Sequence, residues 1–310
     1  MFDKIYEMSQ GKFPDADIMK IKIHTFHAFA NDYLTDAGLV SGEIVGNNLL
    51  RYSVLQSFID NKALTYGKSY IIQTIMPKVE TAIRYIKNFG ITPDKIDLNK
   101  TAKAIEVLHK PTPAYSKADM KAFLKYFVDA YKHYEDSKTD VIDYSDMLLT
   151  FIEKFQGEKY QHVLVDEMQD MNEIEAQIVE MVSENLFLVG DAKQAIFGFQ
   201  GGSIKNFQKF AQSCKPMLLS TNRRSTQQIL GYSKKYFLDK TEHRTKFEKQ
   251  LENFNSSATG SIPKIFSTGA PLKKILSLIN ENPDKDIGII TRTNAQIIEI
   301  SKYLDINSID

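Results

Sequence analysis

The chain has 310 residues, 43% of them hydrophobic and 25% charged, which is the composition of an ordinary globular protein long enough for two domains. Its 39 basic side chains balance its 39 acidic ones, so any nucleic-acid binding has to come from local patches rather than global charge. The single cysteine, Cys214, excludes an internal disulfide and a cysteine metal site, and no run reaches the ~18 apolar residues of a membrane span, so a soluble cytoplasmic protein without a membrane partner is expected.

The first residues, MFDKIYEMSQGK, mix charges with apolar side chains and do not form a secretion signal. A short β-branched run, Ile21–Ile23, leads to Thr25. From about residue 39 to 140 the pattern is helical. Ser116 with Asp119 three residues later predicts an N-cap, and Met120, Phe123, Leu124, Phe127, Tyr131 and Tyr134 then recur at helical spacing, the signature of a buried helix face. Further apolar runs predict strands at His162–Val165, Leu186–Val189 and Met217–Leu219. A helix is predicted over Ser225–Leu238, and a polar loop over Asn253–Gly260. A second α/β unit follows from strands at Ile262–Phe266 and Ile287–Thr291 around a helix near 272–281, with a last helix at Asn294–Leu304. Apolar strands alternating with helices predict an α/β fold with a parallel sheet. In such sheets, sites form at the carboxyl ends of strands, which here are followed by Thr25, Asp166, Gly190 and Ser220.

The most informative segment is VLVDEMQD (163–170), a strand that stops at two adjacent carboxylates. One such group can hold a divalent cation while the next activates water, the division of labour that nucleotide hydrolysis needs. Taken alone, the same acids also suit the first turn of a helix, where they complement its dipole. Twenty residues on, LFLVGDAKQAIFGFQGG (186–202) gives a second strand end, then Gln194 and the aromatics Phe197 and Phe199. PMLLSTNRRS (216–225) ends a third strand at adjacent arginines.

In this order the segments resemble a family. DEMQD is similar to the DExQD motif of the UvrD/Rep/RecB helicases of superfamily 1, and VGDAKQAIFGFQGG to the motif that follows it. LSTNRRST resembles their L-x-x-NYRS motif, and RTNAQ (292–296) their RTNAQ stretch. KIHTFHAFA (22–30) resembles TFHxF, and DYSDMLL (143–149) the DFxDLL motif that closes their helical insertion. The six motifs run from Lys22 to Gln296.

The resemblance implies ATP and Mg²⁺ as cofactors, with Asp166 as the Mg²⁺ ligand and Glu167 as the general base. It implies Gln194 as the γ-phosphate sensor that couples to DNA, and Arg224 as the arginine finger, a guanidinium closing on a phosphate whose charge spreads in the transition state. Arg223 stands where the family has tyrosine, and takes no role from it. Thr25, Phe26, His27, Phe197 and Phe199 fall where the family meets single-stranded DNA, by stacking in the case of the last two. For Phe197, Phe199 and His27 a structural role is the alternative. From Thr221 to Gln250 there are eight Lys or Arg against three acids, either a solvated helix face or part of a DNA track.

The implied fold is a RecA-like parallel-sheet motor domain, incomplete, at residues 1–38 and 141–220, with a helical insertion at 39–140 and the start of a second RecA-like domain at 221–310. The family's phosphate loop, G-x-x-x-x-G-K-[ST], does not occur before the TFH motif. Gly67-Lys68-Ser69 resembles only its tail, with Lys62 in place of the first glycine. The expectation is therefore a piece of a 3′-to-5′ translocase on single-stranded DNA, inactive by itself. The alternatives are a non-hydrolysing DNA- or partner-binding module and one half of a split helicase completed by a second chain.

Overall fold

Helices dominate the chain, and two short parallel ladders organise them. The computed structural model describes residues 2–9, 12–39, 43–44, 47–60, 67–108, 117–139, 141–195, 204–242 and 244–309. They divide into two compact units, Met1–Pro216 and Met217–Asp310.

In the first unit, helices α1 (Phe2–Ser9) and α2 (Phe26–Asp36) precede β1 (Glu43–Ile44). A helical segment follows, with α3 (Asn47–Asp60), α4 (Met76–Lys87), α5 (Leu98–Leu108) and α6 (Lys117–Asp136). The chain then returns to β2 (Val141–Ile142), which pairs with β1 in parallel, Glu43 opposite Val141 and Ile44 opposite Ile142. The helical segment has its own core. Leu50 and Val54 of α3, Val79 and Ile83 of α4, and Tyr126, Phe127, Tyr131 and Tyr134 of α6 are buried together. The aromatic stripe read from the sequence is therefore a buried face, and its polar tips are satisfied: the Tyr126 hydroxyl donates to the Val54 carbonyl at 2.9 Å and the Tyr131 hydroxyl to the Ile91 carbonyl at 2.8 Å. The N-cap expected at Ser116 lies outside the described residues.

A charged cluster joins this segment to the next helix, α7 (Tyr144–Lys154). The Lys87 side chain is only 4% exposed, and its ammonium lies 2.7 Å from Glu135, 2.8 Å from Asp143 and 2.6 Å from Asp146. Lys138 reaches the same three carboxylates, and the Tyr134 hydroxyl donates to Asp143. Asp143 is also the N-cap of α7, in a reciprocal capping box with Asp146. Burial works against the Asp143 charge, but Lys87 and Lys138 outweigh it and hold its carboxyl at about 2. Among the described residues, Glu135, Asp143 and Asp146 are the one set of three acids spaced for a metal ion, and two lysines already neutralise them.

Beyond α7 lies the unit that positions the site. Strand β3 (Tyr160–Val165), helix α8 (Glu173–Val182) and strand β4 (Ser183–Leu188) form a β-α-β crossover, with β3 and β4 parallel and Val165 opposite Leu188. Asn172 caps α8 in a second capping box with Glu175. Ala30 and Leu34 of α2, Met147, Leu148 and Phe151 of α7, and Ile174, Ile178 and Val182 of α8 form one apolar cluster. Val165, Met168, Met171, Ala176, Val179 and Phe210, the last on α9 (Ile204–Ser213), form another.

The second unit holds α10 (Gln227–Lys240), α11 (Arg244–Glu252), α12 (Pro271–Asn280) and α13 (Asn294–Ile306); α10, α12 and α13 lie close to the helices expected there, and α11 was not expected. The strands expected at Ile21–Ile23, Met217–Leu219, Ile262–Phe266 and Ile287–Thr291 are not formed; these segments carry no regular secondary structure. The reason is that a strand is stabilised by its neighbours, and no neighbouring strand is paired to these runs. Among the described residues of the second unit there is one isolated bridge, between Thr221 and Asn255. Among the described residues, no helix is long and apolar enough to cross a membrane.

Candidate functional site

Asp166 and Glu167 stand at the carboxyl end of β3, both exposed. The turn there is unusual: Glu167 has φ 52° and ψ 41°, the left-handed region that side chains other than glycine seldom adopt. The Asp166 carboxylate accepts from the Glu167 amide at 3.0 Å, and a single helical turn, Met168–Asp170, follows. The neighbouring strand supplies Val189, whose carbonyl accepts from the Met168 amide at 2.9 Å and whose amide donates to the Val165 carbonyl at 2.8 Å.

Gly190 and Asp191 come next. A Cβ at Gly190 would meet the Gln169 Oε1 at 2.6 Å and the Met168 backbone nitrogen at 3.2 Å, so only glycine lets the two strand ends approach this closely. Gln169 is 2% exposed. Its Nε2 donates to the Glu167 carboxylate at 2.7 Å, and its Oε1 accepts from the Asp191 amide at 3.0 Å. Asp191 in turn accepts from the Lys193 amide at 3.0 Å and from Gln194 Nε2 at 3.2 Å, and pairs with the Lys193 ammonium at 2.6 Å. Burial opposes the Asp191 charge, but these hydrogen bonds from Lys193 and Gln194 prevail and set its carboxyl below the usual range. Asp170 shows the reverse: burial, and then the nearby Glu167 charge, push its carboxyl up, and its buried Oδ1 has no hydrogen-bond partner.

Thus Asp166, Glu167 and Gln194, singled out from the sequence, belong to one connected strand-end site. Gln169 and Asp170 were missed as site residues. The signal was the DEMQD segment itself, where a polar Gln169 and Asp170 follow the carboxylate pair where a buried helix would carry apolar residues. Thr25, Phe26 and His27 begin α2. Thr25 is its N-cap, accepting from the Ala28 amide at 3.2 Å. Phe26 packs inward against both apolar clusters. His27 sits edge-on to Tyr144, ring centres 5.2 Å apart, and burial lowers its pKa against an opposing backbone hydrogen bond at Tyr144. Phe197 and Phe199 lie outside the described residues.

In the second unit the arginine pair is held in a defined turn. Asn222 Oδ1 accepts from the amides of Arg224 at 2.9 Å and Ser225 at 2.8 Å. The loop after α11 supports it: the Asn222 amide donates to the Asn255 carbonyl at 2.8 Å, and the buried Ser256 hydroxyl to the Ser225 carbonyl at 2.7 Å. Arg224 itself is exposed. Gly67 precedes a short helical turn, Lys68–Tyr70, within the helical segment, and among the described residues no strand leads into it.

A sequence model described as the UvrD/REP helicase N-terminal domain matches residues 2–215. The chain is 28% identical over 250 residues to a probable DNA helicase II homolog of Mycoplasma capricolum, covering 73% of this chain and 34% of that protein. It is 28% identical over 255 residues to the ATP-dependent DNA helicase PcrA of Bacillus subtilis, covering 71% of this chain and 33% of that protein. A PcrA of Leuconostoc citreum is 28% identical over 192 residues, 55% of this chain and 26% of that protein. The chain therefore spans about a third or less of the length of these curated relatives. With a match that takes in α1 through α9 and both strand ends of the site, the chain belongs to the UvrD/REP helicase N-terminal domain family.

Proposed function

We propose that this chain is part of an ATP-dependent DNA helicase that moves 3′ to 5′ on single-stranded DNA in repair or recombination. The observation that carries this is the pair of parallel strand ends, where exposed Asp166 and Glu167 adjoin the Gly190–Gln194 loop in a chain of this family. In this reading the first unit is most of a RecA-like motor domain, residues 1–38 and 141–220, interrupted by a helical insertion at 39–140. Residues 221–310 begin a second RecA-like domain.

The residues present fit a hard cation. Mg²⁺ takes one or two carboxylates and keeps water and phosphate oxygens for the rest of its shell. Asp166 is an exposed carboxylate, and Asp170 keeps a buried oxygen without a partner. Asp166 would hold the ion, which supplies charge neutralisation on the phosphates of ATP. Glu167 orients the attacking water and takes its proton, Gln194 contacts the γ-phosphate, and Arg224 serves as an arginine finger. Thr25, His27, Phe197 and Phe199 contact the DNA strand, whereas the inward packing of Phe26 fits a supporting role.

The pattern of a phosphate loop does not occur in the sequence, and positioning supplies most phosphoryl-transfer catalysis. The chain alone is therefore expected to bind single-stranded DNA weakly and to release no phosphate that depends on Glu167. The test measures DNA-stimulated phosphate release by the purified chain beside Glu167→Gln, and oligonucleotide anisotropy at two salt concentrations. Binding that weakens with salt, with equal background release in both proteins, is the expected result. Release that needs Glu167 would overturn the inactivity of the isolated chain, and no binding even at low salt would overturn its DNA role.

A further inference from the structure

We propose that Gln169 is a positioning residue that ties Glu167 to the loop after β4, so that Glu167, Asp191 and Gln194 respond as one unit. The inference rests on the reading of Glu167 as the group that orients water. Glu167 is exposed, on a left-handed residue at a loop, and nothing else in the described hydrogen bonds fixes its carboxylate. Gln169 does so from below. It is buried, and both ends of its amide are used, one on the Glu167 carboxylate and the other on the Asp191 backbone. An amide can donate to a carboxylate and accept from a backbone N–H at the same time without adding charge. Glutamate would set a second negative charge against Glu167, and methionine of similar volume would serve neither neighbour.

The connection continues. Asp191 holds the Gln194 side chain and amide, so the path runs from the Glu167 carboxylate through Gln169 and Asp191 to Gln194. The backbone bonds that zip the strand ends stop at Val189 and Met168 and leave the Glu167 side chain untouched. Gly190 completes the device, because a side chain there would collide with Gln169 Oε1. A loop that feels phosphate at Gln194 thereby reports to the carboxylate that faces water, through groups that are hydrogen-bonded at every step.

The experiment uses ¹⁵N-labelled full chain and amide resonances. Glu167→Ala is introduced into the native protein and into a Gln169→Met background. The expected result is that Glu167→Ala shifts the Asp191 and Gln194 amides in the native background, and that these shifts are lost in Gln169→Met. A residue that merely fills space would leave the shifts unchanged when methionine replaces it. Equal shifts in both backgrounds, or none in either, would overturn the proposal. Should Gln169→Met fail to fold, the Gln169 side-chain amide of the native chain decides. It is expected to exchange slowly with solvent and to move on Glu167→Ala; fast exchange and no movement would overturn the proposal equally. Phosphate release is measured separately, so the role of Glu167 in hydrolysis can fail while this coupling stands, and the reverse.

Discussion

Gly190 and Glu167 show how much of the site is decided by single backbone positions. At Gly190, an added Cβ would sit 2.5 Å from Met168 Cγ and 2.6 Å from Gln169 Oε1, both on buried side chains. Gly190→Ala is therefore expected to destabilise the first unit by ~1–3 kcal/mol, as overpacking of a closed site does. Urea unfolding checks this, and an unchanged midpoint would mean that the strand ends separate freely. Glu167 is the opposite case. Its left-handed backbone carries strain of order 1–3 kcal/mol that any side chain would share. Glu167→Gln keeps that strain and an oxygen for Gln169, so its effect on stability should stay within about ±0.5 kcal/mol. That makes it a clean control for chemistry.

At the scale of elements, the junction between α4, α6 and α7 depends on buried charge. Lys87 is nearly inaccessible and faces three carboxylates. Replacing it with methionine leaves those acids with Lys138 alone, and removing one partner of a buried ion pair costs about 3–5 kcal/mol. The pH dependence follows from the two signs. Asp143 titrates at about 2 in the folded chain and near 4 when unfolded, so its stabilisation is complete above about pH 4 and vanishes as the pH falls through about 2. Lys87 is raised above its ordinary value by Asp143, Asp146 and Glu135 despite burial, so its contribution persists through neutral pH and is lost only in strong alkali. Unfolding midpoints should be flat near neutrality and fall in acid, and Asp143→Asn should flatten the acid limb. An acid limb unchanged by Asp143→Asn would place the titrating group elsewhere. Little of this was legible in the sequence. The buried stripe of α6 and the β3 and β4 strands were legible, because each is a local pattern with one physical meaning. The Lys87 cluster was not, since its partners lie 48 and 59 residues away. Nor could Ile21–Ile23 or Ile287–Thr291 declare whether a neighbouring strand would pair with them, since an apolar run reads the same in either case. In the site, the order of DEMQD and VGDAKQ was legible, but the hydrogen bond from Gln169 to Asp191 was not, because it is made across the gap between two strands.

At the scale of the whole molecule, neutral net charge means that the proposed DNA binding has to come from local patches. The segment from Thr221 to Gln250, with eight basic residues against three acidic ones, is one such patch, and it includes Arg224. The ladder of β1 and β2 has a different consequence, in the order of folding. Its two strands are roughly a hundred positions apart and only two residues long, so their pairing closes a large loop for little local gain. The cluster around Tyr126 lies wholly between them in sequence and can condense without the ladder. Pulsed hydrogen exchange during refolding is therefore expected to protect the amides of α4 and α6 before those of β2. Simultaneous protection would show instead that the junction nucleates the segment it encloses, and that the helices wait for their ends to meet.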